Sequence, residues 1–293
     1  MSDNTITWRE VAAETEARLS AISDSPANET RWIIERAAGF DGAEYVLGLD
    51  ENVTERGMHF HDLMLERRLA GEPLQYVLGR WAFRSLDLFV DQRVLIPRPE
   101  TEMVAGLAIG ALHEMRANGI DRPIAVDLGT GSGAIGLSIA VEVERADVWM
   151  TDFSADAIVV ARSNLAGIGR AATRVQIAEG FWFDALPIEL RGRIDVIVSN
   201  PPYVGLNDEI EDIVRKWEPL SALYSGEDGL DDIRVILGDS LSWLRPGGYL
   251  FLEMDPRQLE SAADLARSLG FVEIETRDDL AGRGRALISR RAI

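Results

Sequence analysis

Three short stretches carry residue types and spacings that could do chemistry. Asp127-Leu128-Gly129-Thr130-Gly131-Ser132-Gly133 places glycines at every second position after the apolar strand Ile124–Asp127. Such a turn lets a ligand approach the backbone closely. A dinucleotide turn would be spaced Gly-x-Gly-x-x-Gly around a diphosphate. The acid at Asp127 repels phosphate and suits a cationic amino-acid ligand, so a nicotinamide cofactor is disfavoured. Met150-Thr151-Asp152 ends the next strand with a carboxylate where this architecture grips a ribose diol, or where a helix is capped. Ser154 competes for the cap and leaves Asp152 freer to bind. Asn200-Pro201-Pro202-Tyr203 closes the apolar run Val196-Ile197-Val198. Prolines cannot donate to a strand ladder, so a stiff turn and a binding loop both fit that tetrapeptide.

These stretches need a frame that brings them together. From Pro123 the chain alternates between apolar strands and amphipathic helices, which implies α/β architecture with a doubly wound, mostly parallel sheet and right-handed crossovers. The last two strands, "FVEIETR" and "RALISRR", leave no room for a helix between them and must pair antiparallel. In such a sheet ligands bind outside the carboxyl ends of the strands, so the glycine turn, Asp152 and Asn200 would share one rim. "EGFWF" ends a third strand there. Trp182 is the aromatic expected to touch the ligand, with Phe181 and Phe183 expected in the core.

Ahead of the sheet, about Thr7 to Gly71 form short helices. Met58, Leu63, Met64, Leu65 and Leu69 supply an apolar stripe. His59 and His61, two apart, do not share a helix face and suit packing or surface rather than metal. "PLQYVLGRWAFRSLDLFVDQRVLI" is rich in β-branched and aromatic residues and predicts a hairpin. The expected organisation is a helical domain over residues 1–72, a β-hairpin linker over 73–94 and a catalytic domain over 95–293.

In these motifs the chain resembles class I, Rossmann-like methyltransferases that use S-adenosyl-L-methionine on planar amide or amine nitrogen. "PLQYVLGRWAF", "LIPRPETE", "EPLSALYSGEDGLD" and "DLAGRGRAL" narrow the similarity to the HemK/PrmC peptide chain release factor glutamine methyltransferases, over nearly the whole chain. Asp255, Gly284 and Phe181 depart from the residues usual in that family.

The resemblance implies methyl transfer to the side-chain N5 of the glutamine in a Gly-Gly-Gln motif of bacterial release factors, with the N-terminal domain helping to grip the factor. It implies cofactor contacts from Gly129, Thr130, Gly131, Ser132, Gly133, Asp152, Trp182 and Asn200. Catalysis and substrate binding fall to Asn200, Pro201, Pro202 and Tyr203. The Asn200 oxygen and the Pro201 carbonyl would accept the two amide N–H groups, and Tyr203 would stack on the amide plane. No general base is assigned. Glu100, Thr101 and Glu102 are expected to close over the cofactor or to cap their helix, and Arg98 to bind a carboxylate, the substrate peptide or a glutamate.

Composition bounds the alternatives. The net charge of -19, with Lys216 the only lysine, argues against contact with nucleic acid and so against an adenine-N6 enzyme of DNA or RNA. A ribosomal-protein glutamine methyltransferase would share the same chemistry, and a noncatalytic module would keep the fold without turnover. With no cysteine, neither a disulfide framework nor a thiolate metal site is available, and no metal is expected. The acidic N-terminus lacks the apolar core of a signal peptide, and no apolar run reaches spanning length, so a cytoplasmic protein without membrane contact is expected; a monomer is expected as well, though no residue of the sequence argues for it.

Overall fold

The computed structural model describes residues 6–293; the first five residues, part of the stretch judged for a signal peptide, lie outside it. The chain divides into two compact units, with the boundary in the sequence between Arg80 and Trp81.

The first unit is helical: α1 (Trp8–Leu19), α2 (Pro26–Ala38), α3 (Ala43–Gly48), α4 (Glu55–Leu69) and α5 (Leu74–Leu78). Thr7 and Glu10 form a capping box at the start of α1, and the Thr54 hydroxyl accepts the Gly57 N–H at 3.0 Å to start α4. Leu19, Ile33, Met64, Leu65, Leu74, Val77 and Leu78 form its main core, each side chain gaining about 1.5–3 kcal/mol from burial. The stripe expected on α4 is only partly correct. Met64 and Leu65 are buried, but Leu63 is exposed and His61 takes the inner face, its Nε2 2.7 Å from the buried Thr15 hydroxyl.

The predicted hairpin is also shorter than expected. Leu74–Leu78 is helix α5, closed by Gly79 with φ 65°, because Leu74, Val77 and Leu78 complete the helical core. Burial there overrides β propensity. The hairpin is β1 (Trp81–Phe83) with β2 (Leu86–Leu88), and it falls in the second unit, so the helical segment extends beyond the expected boundary at 72.

The second unit continues with α6 (Pro99–Ala117), β3 (Ile124–Leu128), α7 (Ala134–Glu142), β4 (Asp147–Asp152), α8 (Ala155–Leu165), β5 (Val175–Glu179), β6 (Ile194–Ser199), α9 (Asp212–Trp217), α10 (Asp231–Trp243), β7 (Leu244–Glu253), α11 (Leu259–Leu269), β8 (Phe271–Asp278) and β9 (Gly284–Arg291). The seven-stranded sheet runs β5-β4-β3-β6-β7-β9-β8. The first five strands are parallel; β8 and β9 pair antiparallel, as expected of the closing strands, and β9 also pairs antiparallel with β7. Strand order reverses between β3 and β6, and that reversal opens the ligand crevice at their carboxyl ends. Beneath it, Val126, Leu128, Ile197, Leu250 and Leu252 pack on Ile233, Ile236 and Leu237 of α10 and Ala262 and Ala266 of α11. Among the described residues no helix is long and apolar enough to cross a membrane.

Candidate functional site

Sheet register sets the site. Leu128 pairs with Ser199 on one side and Thr151 on the other, so Gly129, Asp152 and Asn200 leave their strands at one level. The Ser199 hydroxyl donates to the Leu128 carbonyl at 2.6 Å and locks β6 to β3 where both loops begin. Above them lies a cleft of about 800 Å³, part of it open solvent, lined by Gly129, Thr130, Gly131, Ser132, Asp152, Trp182, Asn200 and Pro202.

The glycine turn is braced from below. Asp127, buried, accepts the Thr130 hydroxyl at 2.6 Å and the Gly136 N–H at 2.9 Å on one oxygen. Burial pushes its carboxyl up to about 6 against those two donors. It does not line the cleft, so it supports the turn rather than meeting a cationic ligand as expected. Gly131 has φ 54° and open space where a Cβ would stand, the geometry of a backbone left bare for a ligand. Gly133 differs: a Cβ there would lie 2.8 Å from Leu137 Cδ1, so it faces the core and caps α7. Asn164 ties the turn to the segment after the hairpin, donating to the Ser132 and Phe89 carbonyls at 2.8 and 2.9 Å.

Asp152 lines the cleft with 8% of its surface exposed. Its carboxylate accepts the Gly131 N–H and the Ser154 N–H, both at 2.9 Å. Burial raises its pKa and those backbone donors oppose the rise. Each oxygen keeps a second lone pair, enough for a diol. Ser154 does cap α8, accepting the Ala157 N–H at 3.2 Å.

The aromatics sort differently from expectation. Trp182 lines the cleft, its ring close over Gly129 and its Nε1 donating to Asp232 at 3.2 Å. Its backbone sits at φ 39°, a left-handed geometry that costs a non-glycine residue about 1–2 kcal/mol and recurs at ligand sites. Phe183 is core, stacked on Trp243. Phe181 is not core: it is exposed and stacks on Phe153 with ring centroids 5.1 Å apart. Phe153 itself lines the cleft. Its signal was its place directly after Asp152 at a strand end, where the next side chain must turn toward the rim.

Around the Asn-Pro-Pro-Tyr loop, Asn200 and Pro202 line the cleft, whereas Pro201 is buried and Tyr203 packs against the core below. Burial and the neighbouring Glu253 push the Tyr203 phenol up to about 12. Its position is under the loop rather than in the cleft where stacking on a substrate amide was expected. The loop backbone is pinned by Gln258, which donates to the Tyr203 carbonyl at 2.8 Å, and by Val204, whose N–H reaches the Leu223 carbonyl at 2.8 Å. Asn200 Nδ2 donates to the Thr101 hydroxyl at 3.2 Å, which leaves Asn200 Oδ1 free to accept.

The segment before α6 has definite partners. Arg98 pairs with the buried Glu218, which also accepts the Ile96 N–H at 3.1 Å. Glu100 pairs with Arg283 at 3.0 Å and Glu102 accepts the Arg84 N–H at 3.1 Å, so of the three only Thr101 lines the cleft. Glu218 thereby fastens Leu95 and Pro97 opposite Pro219, Ser221 and Ala222, a second cleft wall that sequence motifs located but did not explain. The unusual residues have local causes. Asp255 caps the turn that leads into α11, and a Cβ on Gly284 would lie 2.5 Å from Leu259 Cδ1.

Residues 10–79 match the family described as PrmC N-terminal domain, and residues 111–217 the Methyltransferase small domain. A release factor glutamine methyltransferase of Deinococcus radiodurans is 36% identical over 286 residues, 97% of this chain and 98% of its own. One of Gloeobacter violaceus is 37% identical over 286 residues, 96% of this chain and 95% of its own. Among solved structures, a methyltransferase from Pyrococcus furiosus shares the fold with TM-score 0.51 and 20% identity, covering 72% of this chain and 92% of that one.

Proposed function

The chain belongs to the release factor glutamine methyltransferase family, and we propose that its cleft transfers a methyl group from S-adenosyl-L-methionine to the side-chain N5 of the glutamine in the Gly-Gly-Gln motif of bacterial peptide chain release factors. The observation that carries this is the common level of Gly129, Asp152 and Asn200 at one rim, a cofactor-sized cleft with a hydrogen-bond acceptor at its edge.

The residues present fit the cofactor. Gly131 and its neighbours offer bare backbone, Asp152 offers carboxylate lone pairs to a ribose diol, and Trp182 and Phe153 offer apolar faces to an adenine. S-adenosyl-L-methionine supplies a methyl group on a sulfonium, an electrophile that needs no metal.

An amide nitrogen is a poor nucleophile because its lone pair is delocalised into the carbonyl. Help must come from position and polarisation. Asn200 Oδ1 accepts one substrate N–H and the Pro201 carbonyl the other, which holds the nitrogen toward the methyl donor and favours the positive charge that grows on it. A neutral amide serves better than a carboxylate, whose full charge is costly to bury. The two prolines keep the acceptors in place before the substrate arrives. The nitrogen–methyl bond would form as the methyl–sulfur bond breaks, with S-adenosyl-L-homocysteine as the leaving group. The methylated nitrogen, strongly acidic, would then give one proton to solvent water, and the amide would regain its resonance. Tyr203 supports the loop from beneath.

The helical unit of residues 1–80 is assigned to gripping the release factor, supported by Val46 and Leu47 of α3, which are 67% and 79% exposed. The reading is of a cytoplasmic monomer that needs no metal and touches neither nucleic acid nor membrane. Its charge of -19 supports the exclusion of nucleic acid. The test is mass spectrometry of a recombinant release factor incubated with this protein and S-adenosyl-L-methionine. One added methyl on the Gly-Gly-Gln glutamine is expected. No methyl there, but methylation of a ribosomal protein or of adenine in nucleic acid, would overturn the assigned substrate.

A further inference from the structure

Behind the Asn-Pro-Pro-Tyr loop lies a buried acid that the reaction above does not use. Glu253 ends β7 and is 1% exposed. Ser199 pairs with Leu252 across β6 and β7, so Asn200 and Glu253 are the next residues on adjacent strands. Thr101, 4% exposed in the first turn of α6, stands between them. Its oxygen receives Asn200 Nδ2 at 3.2 Å, and hydrogen bonding from its side chain favours the charged form of the Glu253 carboxylate. Glu253 Oε2 is buried without a hydrogen-bond partner.

We propose that Thr101 and Glu253 are positioning residues for Asn200: the Glu253 carboxylate takes the Thr101 O–H, the Thr101 oxygen then accepts from Asn200 Nδ2, and Asn200 Oδ1 is left facing the cleft. The inference rests on the reading that Asn200 Oδ1 accepts the substrate amide.

The polarity of this chain follows from donor counting. A hydroxyl has one proton, and a carboxylate can only accept. While Glu253 is ionised, the Thr101 proton points to it and Asn200 can offer Thr101 only its NH2 side. Protonated Glu253 can donate to Thr101, whose proton then points at Asn200. The amide must turn to accept it, and its NH2 would face the NH2 of the substrate. Two donors then meet and the substrate nitrogen is no longer held.

The groups facing Glu253 set where this reversal falls. Arg285 of β9 and Arg98 ahead of α6 favour the charged form, as does Thr101; Glu100 disfavours it, and Tyr203 lies beside it in the loop after β6. Burial outweighs the favourable partners and pushes the carboxyl up to about 7. Methyl transfer is therefore held back below that pH and released above it.

The experiment is single-turnover methyl transfer to a recombinant release factor, with enzyme and cofactor in excess, from about pH 5.5 to about pH 9, alongside cofactor affinity by calorimetry. Thr101→Ser keeps the hydroxyl and is expected within about threefold of the parent rate. Thr101→Val keeps the shape and is expected to be about 100-fold slower with cofactor affinity within about twofold. The parent rate is expected to climb about tenfold per pH unit up to the Glu253 ionisation, and Glu253→Gln to lose that limb. Thr101→Val as fast as Thr101→Ser, or an unchanged limb in Glu253→Gln, overturns the proposal. If Glu253→Gln does not fold, the Thr101 pair decides alone. Asn200→Ala separates the two levels: a slow Asn200→Ala with a fast Thr101→Val removes only the positioning chain, whereas a fast Asn200→Ala removes the role of Asn200 itself.

Discussion

At the scale of single residues, the proposed reaction divides the cleft between groups that would hold the cofactor and groups that would hold the nucleophile. Asn200 lines the cleft but takes no part in bracing the glycine turn, so its truncation should spare binding. Asn200→Ala is expected to lower methyl transfer by at least about 100-fold while calorimetry finds cofactor affinity largely kept. Asp152 has the opposite profile. It accepts N–H groups from both the glycine turn and the start of α8, and faces the cleft as well. Asp152→Ala should weaken cofactor binding about tenfold or more, because two backbone donors lose their acceptor together with the diol contact. Unchanged affinity in that variant would remove the ribose assignment.

At the scale of elements, what matters is how loops far apart in sequence are fastened together. Glu218 is buried and holds both Arg98 and the Ile96 N–H, joining the approach to α6 to the segment after α9. Glu218→Ala leaves a half-buried guanidinium and a backbone donor without their acceptor, and about 3 kcal/mol of stability is expected to go, read as a lower urea midpoint. Gly229 permits a second close approach. With φ 74° it sits against the Asn-Pro-Pro-Tyr loop, and a Cβ there would stand 2.2 Å from the Tyr203 carbonyl oxygen. Gly229→Ala must therefore push that loop away, and a loss of about 100-fold in kcat is expected. Gly110, exposed in α6 with open space around it, is the contrasting case. Gly110→Ala should raise stability by about 0.5–1 kcal/mol and leave kcat alone.

At the scale of the whole molecule, buried acids link the site to stability. Asp127 rises to about 6 and Glu253 to about 7, both through burial. An acid whose pKa is higher folded than unfolded contributes stability that is full below the unfolded value and lost as pH climbs through the folded one. Both groups thus make the fold lose stability across the range from about pH 4 to about pH 7. Glu253→Gln cannot titrate, so relative to the parent it should gain stability between about pH 4 and about pH 8, by up to about 3 kcal/mol for Glu253 alone. Thermal unfolding of the two proteins at both pH values checks this. A constant difference in Tm would mean that the Glu253 pKa is not raised by folding.

Much of this protein was legible in one dimension. Strand and helix periods after Pro123 gave the doubly wound sheet, because burial on both faces of a parallel strand leaves an unbroken apolar run. The missing helix between the last two strands fixed their antiparallel pairing. Local chemistry announced Gly129, Asp152 and Asn200, since each closes or follows a strand and strand ends share a rim. Trp182 was picked from its neighbours by the same logic, although Phe181 and Phe153 escaped it. Burial at helix α5 could not be read from β-rich residues, because Leu74, Val77 and Leu78 acquire their preference only from the core they complete. Likewise Tyr203, Thr101, Glu218 and Glu253 differ little in sequence from any cap, ring or surface acid. Only the register of β6 on β7 and the seating of α6 bring Glu253 and Thr101 to Asn200, and only that enclosure removes the water that would otherwise have been their partner.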